Sequence, residues 1–397
     1  MAESAKKGMS GGLTALLSVA AGLAIGNLYW AQPLLAEIAA DFGMQTADGG
    51  LLVTATQVGY AVGVLLVVPL GDMLDRRRMV PGVMALSVAA LLACGFAPEF
   101  AVLGMALALL GLTTVSGQVI VPLSGELAAP EERGRVVGIV GAGITGGILV
   151  ARALSGLVAA AIGWRGVYVA AAVLNLAMAF ALYRVLPEMP RRERMPYPEL
   201  IAGVFKAVVR IPAMPRIMAI SGLAFGVAFN LFWNGVTFLL SAEPFLMTPF
   251  QIGLVSLAGV TGAACSIFVG RFQDAGIGIP ATGAFSAACA ACMAAAIPAG
   301  VSVAGVIAVA AVYSFAIQGV SVLNQARLLS LSPAEGSRLN TAFVVNNFVC
   351  AALGSALSTA LWGAWGWAGV AGGACAACLA ALVVWAISRD VMRLPGE

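Results

Sequence analysis

The residue of this sequence with the clearest chemical potential is Arg152, which lies midway along the apolar stretch 136–162. A charge at that depth in a bilayer costs several kcal/mol unless it meets water or a partner, so it marks a functional hypothesis by default. Its guanidinium is a planar fork that suits a carboxylate, a phosphate or another electronegative group. Pairing with backbone carbonyls or a neighbouring helix is the structural alternative. We predict that Arg152 anchors a small-molecule ligand.

Amide and aromatic side chains recur at helical spacing in other apolar stretches, so that neighbours share a helix face. For each of them, hydrogen bonding between helices without a ligand is the alternative. Taken together they predict a polar cavity whose lining, besides Arg152, is Asn27, Tyr29, Trp30, Gln57, Tyr60, Gln118, Asn230, Trp233, Asn234, Gln318, Asn324 and Asn347.

Groups that could change protonation near neutral pH are scarce. The chain has no histidine, and no acidic residue falls in the middle of an apolar stretch. Glu37 and Glu126, at the ends of such stretches, are the candidates for proton coupling. Because no buried carboxylate would attract a lipophilic cation, the pattern favours an anionic, zwitterionic or sugar-like ligand. Without a histidine, a P-loop or a buried carboxylate pair, we predict no enzyme activity and no catalytic residue.

Two C-x-x-C pairs could suggest a metal or redox site. They are Cys289 with Cys292 and Cys375 with Cys378, and each is embedded in alanine. Small residues allow membrane helices to approach closely. We therefore predict that these cysteines pack helices together, and we expect neither a metal nor a cofactor.

Composition places these residues in a membrane. Hydrophobic residues make up 61% of the 397 and charged residues 10%, whereas about a quarter of a soluble domain is charged. A span takes roughly 20 apolar residues. We predict an all-α membrane protein with twelve transmembrane helices, near residues 11–34, 50–70, 79–97, 101–125, 136–162, 166–186, 213–241, 250–270, 278–299, 301–330, 340–363 and 366–388.

The basic residues predict the orientation of these spans, since Lys and Arg concentrate in cytoplasmic loops. Of the 21 Lys and Arg residues, all but Arg152 and Arg165 fall on one side of the predicted map. Both termini are therefore expected to face the cytoplasm.

The two halves of the chain resemble each other, as in transporters built from repeats. We predict two pseudo-symmetric six-helix bundles, 1–186 and 213–397, joined by a cytoplasmic linker, 187–212. The repeated residues are Asn27-Leu28-Tyr29-Trp30 with Asn230-Leu231-Phe232-Trp233, Gly71 and Asp75 with Gly270 and Asp274, and Pro130 and Arg135 with Pro333 and Arg338.

The loop after the second span reads Gly71-Asp72-Met73-Leu74-Asp75-Arg76-Arg77-Arg78. It resembles the loop signature of the major facilitator superfamily, in which aspartate and then arginine follow a glycine at a distance of four residues. Arg78 stands where a second glycine is usual. Pro130-Glu131-Glu132-Arg133-Gly134-Arg135 and Gly163-Trp164-Arg165 are further matches. The gating residues that the resemblance implies are Gly71, Asp72, Asp75, Arg76, Arg78, Arg135 and Asp274.

The resemblance is strongest to the bacterial drug and metabolite efflux branch, whose members resemble drug:proton antiporters. It implies a monomeric, proton-coupled exporter of the bacterial inner membrane that works by alternating access on a small-molecule substrate, with no nucleic-acid partner. Many antiporters of the superfamily have an arginine in span four and a glycine-proline pair in span five. Span four lacks that arginine here, and Ala151-Arg152 stands near the place of the pair. An exporter of lipophilic compounds and a passive facilitator or uptake permease are the alternatives.

Overall fold

A computed structural model describes residues 9–187, 196–332 and 335–392, except for the side-chain positions of residues 72, 267, 270, 273 and 274. The described ranges form helices and connecting turns, with no β-strand among them. Inside lipid a helix satisfies its own backbone hydrogen bonds, which makes it one of the two structures able to span a membrane. The all-α membrane architecture expected from the sequence is confirmed.

The first half of the chain forms seven α-helices with short 3₁₀ turns between some of them. They are α1 (Gly11–Gly26), α2 (Leu35–Asp41), α3 (Gly49–Leu66), α4 (Arg76–Gly95), α5 (Phe100–Thr113), α6 (Ser116–Leu127) and α7 (Arg133–Val185).

The remainder of the chain contributes eight more helices. They are α8 (Tyr197–Arg210), α9 (Met214–Ser221), α10 (Phe229–Ser241), α11 (Pro249–Val255), α12 (Val260–Asp274), α13 (Gly278–Ala299), α14 (Val303–Leu331) and α15 (Gly336–Ser388).

Two of these helices, α7 and α15, are each 53 residues long and are interrupted by one glycine in a non-helical conformation. Gly163 has φ +75° and Gly366 has φ +57°, values that L residues with a side chain rarely adopt. At 1.5 Å per residue each helix would be about 80 Å long, far more than the roughly 30 Å of a bilayer core. Each glycine therefore reverses the chain between two spans.

Nine helical segments of the described chain are long and apolar enough to cross a membrane, and α1 is a shorter apolar helix. Counting α7 and α15 as two spans each and including α1 fits the twelve predicted spans. The breaks occupy equivalent places in helices of equal length, so the structure extends the internal repeat. We refer to the side of the molecule with Gly163 and Gly366 as the turn side, and to the opposite side as the linker side.

Two of the buried apolar clusters each lie within one half of the chain. All buried residues of one cluster lie between Val204 and Met392, and all buried residues of another lie between Leu17 and Leu186. The halves also meet directly on the turn side, where Thr359 Oγ1 donates a hydrogen bond of 2.8 Å to the carbonyl of Ala47. These clusters support the predicted division into bundles 1–186 and 213–397, which stays a prediction.

A π-helical segment, Gly222–Ala228, joins α9 to α10. Single π turns inside helices are frequent at functional sites because they rotate the residues that follow. Gly222 and Gly226 lie against α15: a Cβ on Gly226 would come within 2.4 Å of the Cys350 side chain. This close contact positions Phe229 and Trp233, two of the three aromatic residues at the start of α10.

Candidate functional site between the two halves

The candidate site is built around Arg152, whose helix is held by close contact with α1. A Cβ on Gly147 would come within 2.2 Å of the carbonyl oxygen of Gly22, so only glycine permits this approach. Arg152 lies in the interior with 2% of its surface exposed. It is among the largest fully buried side chains of the described protein, as its position in the sequence suggested.

Three aromatic rings surround the guanidinium group. Its central carbon lies 5.0 Å from the ring centroid of Tyr29, 5.8 Å from that of Phe229 and 4.6 Å from that of Trp233. A cation within about 6 Å of an aromatic face is attracted by the ring quadrupole. Tyr29 comes from the first half and the other two rings from the second, so the aromatic cage of Arg152 is shared between the halves.

Several hydrogen-bond donors at this site have no acceptor within the described part of the chain. Nε and Nη2 of Arg152, Nε1 of Trp233 and Oγ of Ser314 are all buried and unpartnered there. Trp233 and Ser314 both approach Gly259, each within 3.9 Å of where its Cβ would lie. None of the described ion pairs involves Arg152. The site therefore presents positive charge and N–H donors without a counter-charge from the described side chains.

The face of α7 that carries Arg152 is packed against the other half at one end and open at the other. Towards the turn side it packs on α11, where a Cβ on Gly156 would be 2.5 Å from the carbonyl oxygen of Pro249. Towards the linker side, Gly134, Gly138 and Gly141 share that face, and a Cβ on any of them would have no described atom within 4 Å. Arg152 thus lies where a closed contact between the halves gives way to open space on the linker side.

Amides from the two halves meet near the cage. Gln57 Nε2 donates to Asn230 Oδ1 at 3.4 Å, and Gln57 Oε1 has no described partner. Gln118 Nε2 donates to the hydroxyl of Tyr60 at 3.1 Å, and the Tyr60 ring lies 4.3 Å from that of Phe348. These predicted residues are brought together at the boundary between the halves.

Asn27 and Trp30, also predicted to line the cavity, lie in a hydrogen-bond network inside the first half. Asn27 Nδ2 donates to Thr114 Oγ1 at 3.0 Å and to Asn175 Oδ1 at 3.1 Å. Its Oδ1 accepts from Trp30 Nε1 at 2.9 Å and from Asn175 Nδ2 at 3.2 Å. With its amide fully engaged in joining helices, Asn27 has no group left for a ligand.

Of the other predicted polar residues, some are hydrogen-bonded to neighbouring helices and some keep a polar atom without a described partner. Asn234 Nδ2 donates to Ser355 and Ser358, both at 3.2 Å, which joins α10 to α15. Gln318 donates to Ser266 at 3.0 Å. Asn324 Nδ2 and Asn347 Oδ1 are buried without a described partner. The last two therefore keep a free polar atom for a ligand, although no described contact joins them to Arg152.

The loop predicted to act as a gate is ordered by contacts within the first half. Arg76 Nε donates to the carbonyl of Gly71 at 2.7 Å, and its Nη1 pairs with Glu126 at 3.0 Å. The Asp75 carboxylate accepts from the backbone N–H of Arg77 at 2.9 Å and caps α4. A side-chain acceptor at this position satisfies one of the free N–H groups of a helix start.

The remaining predicted gate and proton residues are dispersed. Arg78 and Arg135 are exposed, whereas the side chains of Asp72 and Asp274 lie outside the described residues. Glu126 is engaged by Arg76, and Glu37 lies on the turn side in α2. A cavity of about 210 Å³ lies between the halves there; Glu37 lines it together with Ser241, Met247, Pro249 and Ile252. Burial raises the pKa of Glu37, against a smaller opposing effect of a backbone hydrogen bond from Trp164.

Three residues of this region were missed from the sequence. Phe229 lies one turn before Trp233 and contributes to the cage. Ser314 lies one turn before Gln318 and extends its polar stripe, so helical spacing could have found it. Asn175 completes the Asn27 network from span six, and no local pattern connects it with Asn27.

An all-helical membrane fold whose halves share one buried polar site is typical of secondary transporters. A sequence model of the Major Facilitator Superfamily matches residues 17–359, and this chain therefore belongs to that superfamily of membrane transporters. Escherichia coli O157:H7 has an uncharacterized transporter, YgaY, that is 37% identical over 355 residues, covering 89% of this chain and 90% of that protein.

More distant similarities agree with this assignment. SCO4007 of Streptomyces coelicolor, also named as a transporter, is 32% identical over 371 residues, covering 91% of this chain and 85% of that protein. The crystal structure of a bacterial homologue of the human lysosomal transporter Spinster, inward-facing and unoccupied, has a TM-score of 0.72 at 14% identity. It covers 99% of this chain and 97% of that one.

Proposed function

We propose that this transporter is a secondary active exporter of a small organic compound with an anionic, zwitterionic or sugar-like group. It works as a monomer in the bacterial inner membrane by alternating access, with both termini in the cytoplasm. The observation that carries the proposal is Arg152, a buried guanidinium whose Nε and Nη2 have no described acceptor. No catalytic residue, cofactor or metal is part of the proposal.

The electrostatics of the site support this substrate class. Removing an ion from water costs several kcal/mol, and unpaired buried N–H groups add to that cost. The aromatic cage compensates part of the charge but accepts no conventional hydrogen bond from the guanidinium. A carboxylate, phosphate or sugar oxygen would supply the acceptors, and the unpartnered N–H of Trp233 would be a further donor to it.

The contacts between the halves support alternating access. Arg152 and Tyr29 come from one half, and Phe229 and Trp233 from the other. The face of α7 is closed beyond Arg152 on the turn side and open before it on the linker side. Rocking of the two halves would then expose the site first to one side and then to the other.

A ligand screen by thermal unfolding tests the substrate class. The purified protein is screened against small anions, zwitterions, sugars and lipophilic cations, together with Arg152→Ala. A ligand at 100 times its dissociation constant stabilises the folded state by about 2.7 kcal/mol. We expect an anionic or zwitterionic compound, or a sugar, to stabilise the wild type and not Arg152→Ala.

Arg165→Ala is the matched control, because Arg165 also stacks on aromatic rings but lies on the turn side away from the site. It should respond to the ligand as the wild type does. If lipophilic cations stabilise the wild type and Arg152→Ala equally, the exporter handles lipophilic compounds and Arg152 has a structural role.

Proton coupling and direction are tested in vesicles. We propose Glu37 as the first proton-coupling candidate, since it lies at the contact between the halves and its pKa is raised by burial. Glu126 is the second, because it joins the loop through Arg76. Glu37→Gln combined with Glu126→Gln should abolish accumulation driven by a proton gradient, and unchanged accumulation would contradict the proposal. Equilibration without accumulation in the wild type would indicate a passive facilitator, and accumulation towards the cytoplasm would indicate an uptake permease.

A further inference from the structure

The helix α8, between the two halves, is attached at both ends to the linker side of membrane spans. The hydroxyl of Tyr197, its first residue, donates a hydrogen bond of 2.7 Å to the carbonyl of Leu66, the last residue of α3. Arg210, its last residue, is followed closely by Met214, where the candidate span Met214–Ser241 begins. Tyr197 thus contacts the last turns of the candidate span Thr46–Gly71 and Arg210 directly precedes the next one, so both ends of α8 lie near the linker-side ends of spans.

One stripe of α8 is buried against the rest of the protein. Leu200, Gly203, Val204 and Ala207 are its buried residues. A Cβ on Gly203 would lie 3.2 Å from Nε of Arg338 on α15, so the helix packs closely at this point. This stripe accounts for the attachment of α8 but not for the rest of its apolar surface.

A second apolar stripe points away from the protein. Pro198, Ile201, Ala202, Phe205 and Val209 recur at the spacing of one helix face. Phe205 is 57% exposed and Val209 is 83% exposed. The exposed residues Glu199, Lys206 and Arg210 lie between the two apolar stripes. A helix with an apolar face and a charged face at the end of a span is typical of the membrane interface.

We propose that α8 is an interfacial helix whose second stripe inserts into the lipid leaflet on the linker side, with Lys206 and Arg210 at the level of the lipid phosphates. The helix leads directly into the candidate span Met214–Ser241, so the stripe lies close to the depth at which that span would enter the membrane. Lys206 and Arg210 complement anionic headgroups. Arg210 is 74% exposed and at the same time pairs with Glu335 at 3.3 Å. This inference is independent of the substrate.

Site-directed spin labelling of the full chain in vesicles tests the inference. Nitroxide labels are placed through Phe205→Cys and Val209→Cys, with Glu199→Cys as the control on the charged face. The vesicles contain phosphatidylethanolamine and phosphatidylglycerol, and the parent protein gives the background from its seven native cysteines. Collision with oxygen, which partitions into lipid, is compared with collision with a water-soluble nickel chelate.

Labels at 205 and 209 should collide mainly with oxygen and lie about 5–10 Å below the lipid phosphates, whereas the label at 199 should collide mainly with the chelate. Collision of all three labels with the chelate would show that the stripe faces water and would overturn the proposal. Shielding of 205 and 209 from both reagents would show that protein covers the stripe, either another segment of this chain or a second copy, and would also overturn it.

Discussion

The two copies of the repeated aromatic motif have different surroundings. In the first copy, Asn27 and Trp30 are hydrogen-bonded to each other and to neighbours within their own half. In the second copy, Asn230 reaches Gln57 in the opposite half, and the Trp233 ring covers Arg152. Duplication therefore placed the same residues at equivalent positions. The Asn and Trp of the first copy pack helices within their own half, whereas those of the second copy face the contact between the halves.

The two copies differ because they face different residues on the long helices α7 and α15. Arg152 in α7 and Ser355 in α15 are equally far from the breaks at Gly163 and Gly366, so they are equivalent positions. Ser355 accepts a hydrogen bond from Asn234 and completes the packing of its half. Arg152 has no such acceptor among the described residues. A shared motif thus indicates a shared position, and its neighbours decide whether its polar groups are already hydrogen-bonded or remain free for the proposed ligand.

Replacement of Arg152 by methionine should give the largest effect, in opposite directions for stability and binding. Exchanging buried ions for packed apolar side chains often stabilises proteins by about 1–4 kcal/mol. We expect Arg152→Met to raise the unfolding temperature of the ligand-free protein and to abolish stabilisation by the ligand. Ser355→Ala, the equivalent position, should leave binding unchanged. A lower unfolding temperature for Arg152→Met would assign Arg152 to the structural framework.

Replacement of Asn27 should mainly affect stability. Asn27→Ala leaves the amide of Asn175 and the indole N–H of Trp30 without their partner, and each unsatisfied buried group costs about 1–3 kcal/mol. We expect a lower unfolding temperature for Asn27→Ala with an unchanged dissociation constant for the ligand. The matched variant Asn230→Ala should weaken binding with a smaller loss of stability. Equal effects of the two variants on binding would remove the distinction between the copies.

The two tryptophans provide a smaller and independent comparison. Trp233→Leu removes a ring over Arg152 and an unpartnered N–H, and a desolvated cation–π contact is worth about 2 kcal/mol. The dissociation constant should therefore rise by roughly 30-fold, whereas Trp30→Leu should leave it unchanged and lower the unfolding temperature. Isothermal titration on both variants measures this. If only Trp30→Leu weakens the affinity, the first copy of the motif and not the second contacts the ligand.

The contacts made by the residues just after Gly163 and Gly366 should contribute differently to stability as the pH changes. This is the smallest of the four effects predicted here. In the first half, Asp41 accepts a hydrogen bond from Arg165, which holds the pKa of Asp41 below its usual range. In the second half, Trp367 donates to the carbonyl of Ala296 at 2.8 Å, a contact that does not titrate. A lowered pKa stabilises the folded state above the unfolded pKa, near 4, and that contribution disappears as pH falls through the folded pKa.

Asp41→Asn tests this difference between the turns. Its unfolding temperature should fall below that of the wild type at pH 7. The gap should narrow below about pH 4, where the carboxyl of the unfolded chain becomes protonated, and should close as the pH falls through the lower pKa of the folded state. Trp367→Phe, which removes the uncharged contact, should show a deficit that does not vary over that range. A constant deficit in Asp41→Asn would indicate that the ion pair contributes nothing to stability.

The helical membrane fold, the repeat and the burial of Arg152 could be predicted from sequence because they depend on apolar runs, local periodicity and the isolation of one charge. The partners of Asn27 could not. Asn175 and Thr114 lie on other spans, and which amide they meet depends on helix rotation and tilt. The π-helical segment before Phe229 changes that rotation without a clear sequence signal. Sequence therefore identified the polar residues but not which of them already have partners.

The division of the aromatic cage between the halves has a consequence for inhibitor design. Under the proposed alternating access, a compound that only binds Arg152 would move with the first half and leave the conformational cycle intact. A compound whose anionic head binds Arg152 and whose bulky tail holds Phe229 and Trp233 away would prevent the halves from meeting around it. Such a compound would arrest the cycle with the site occupied.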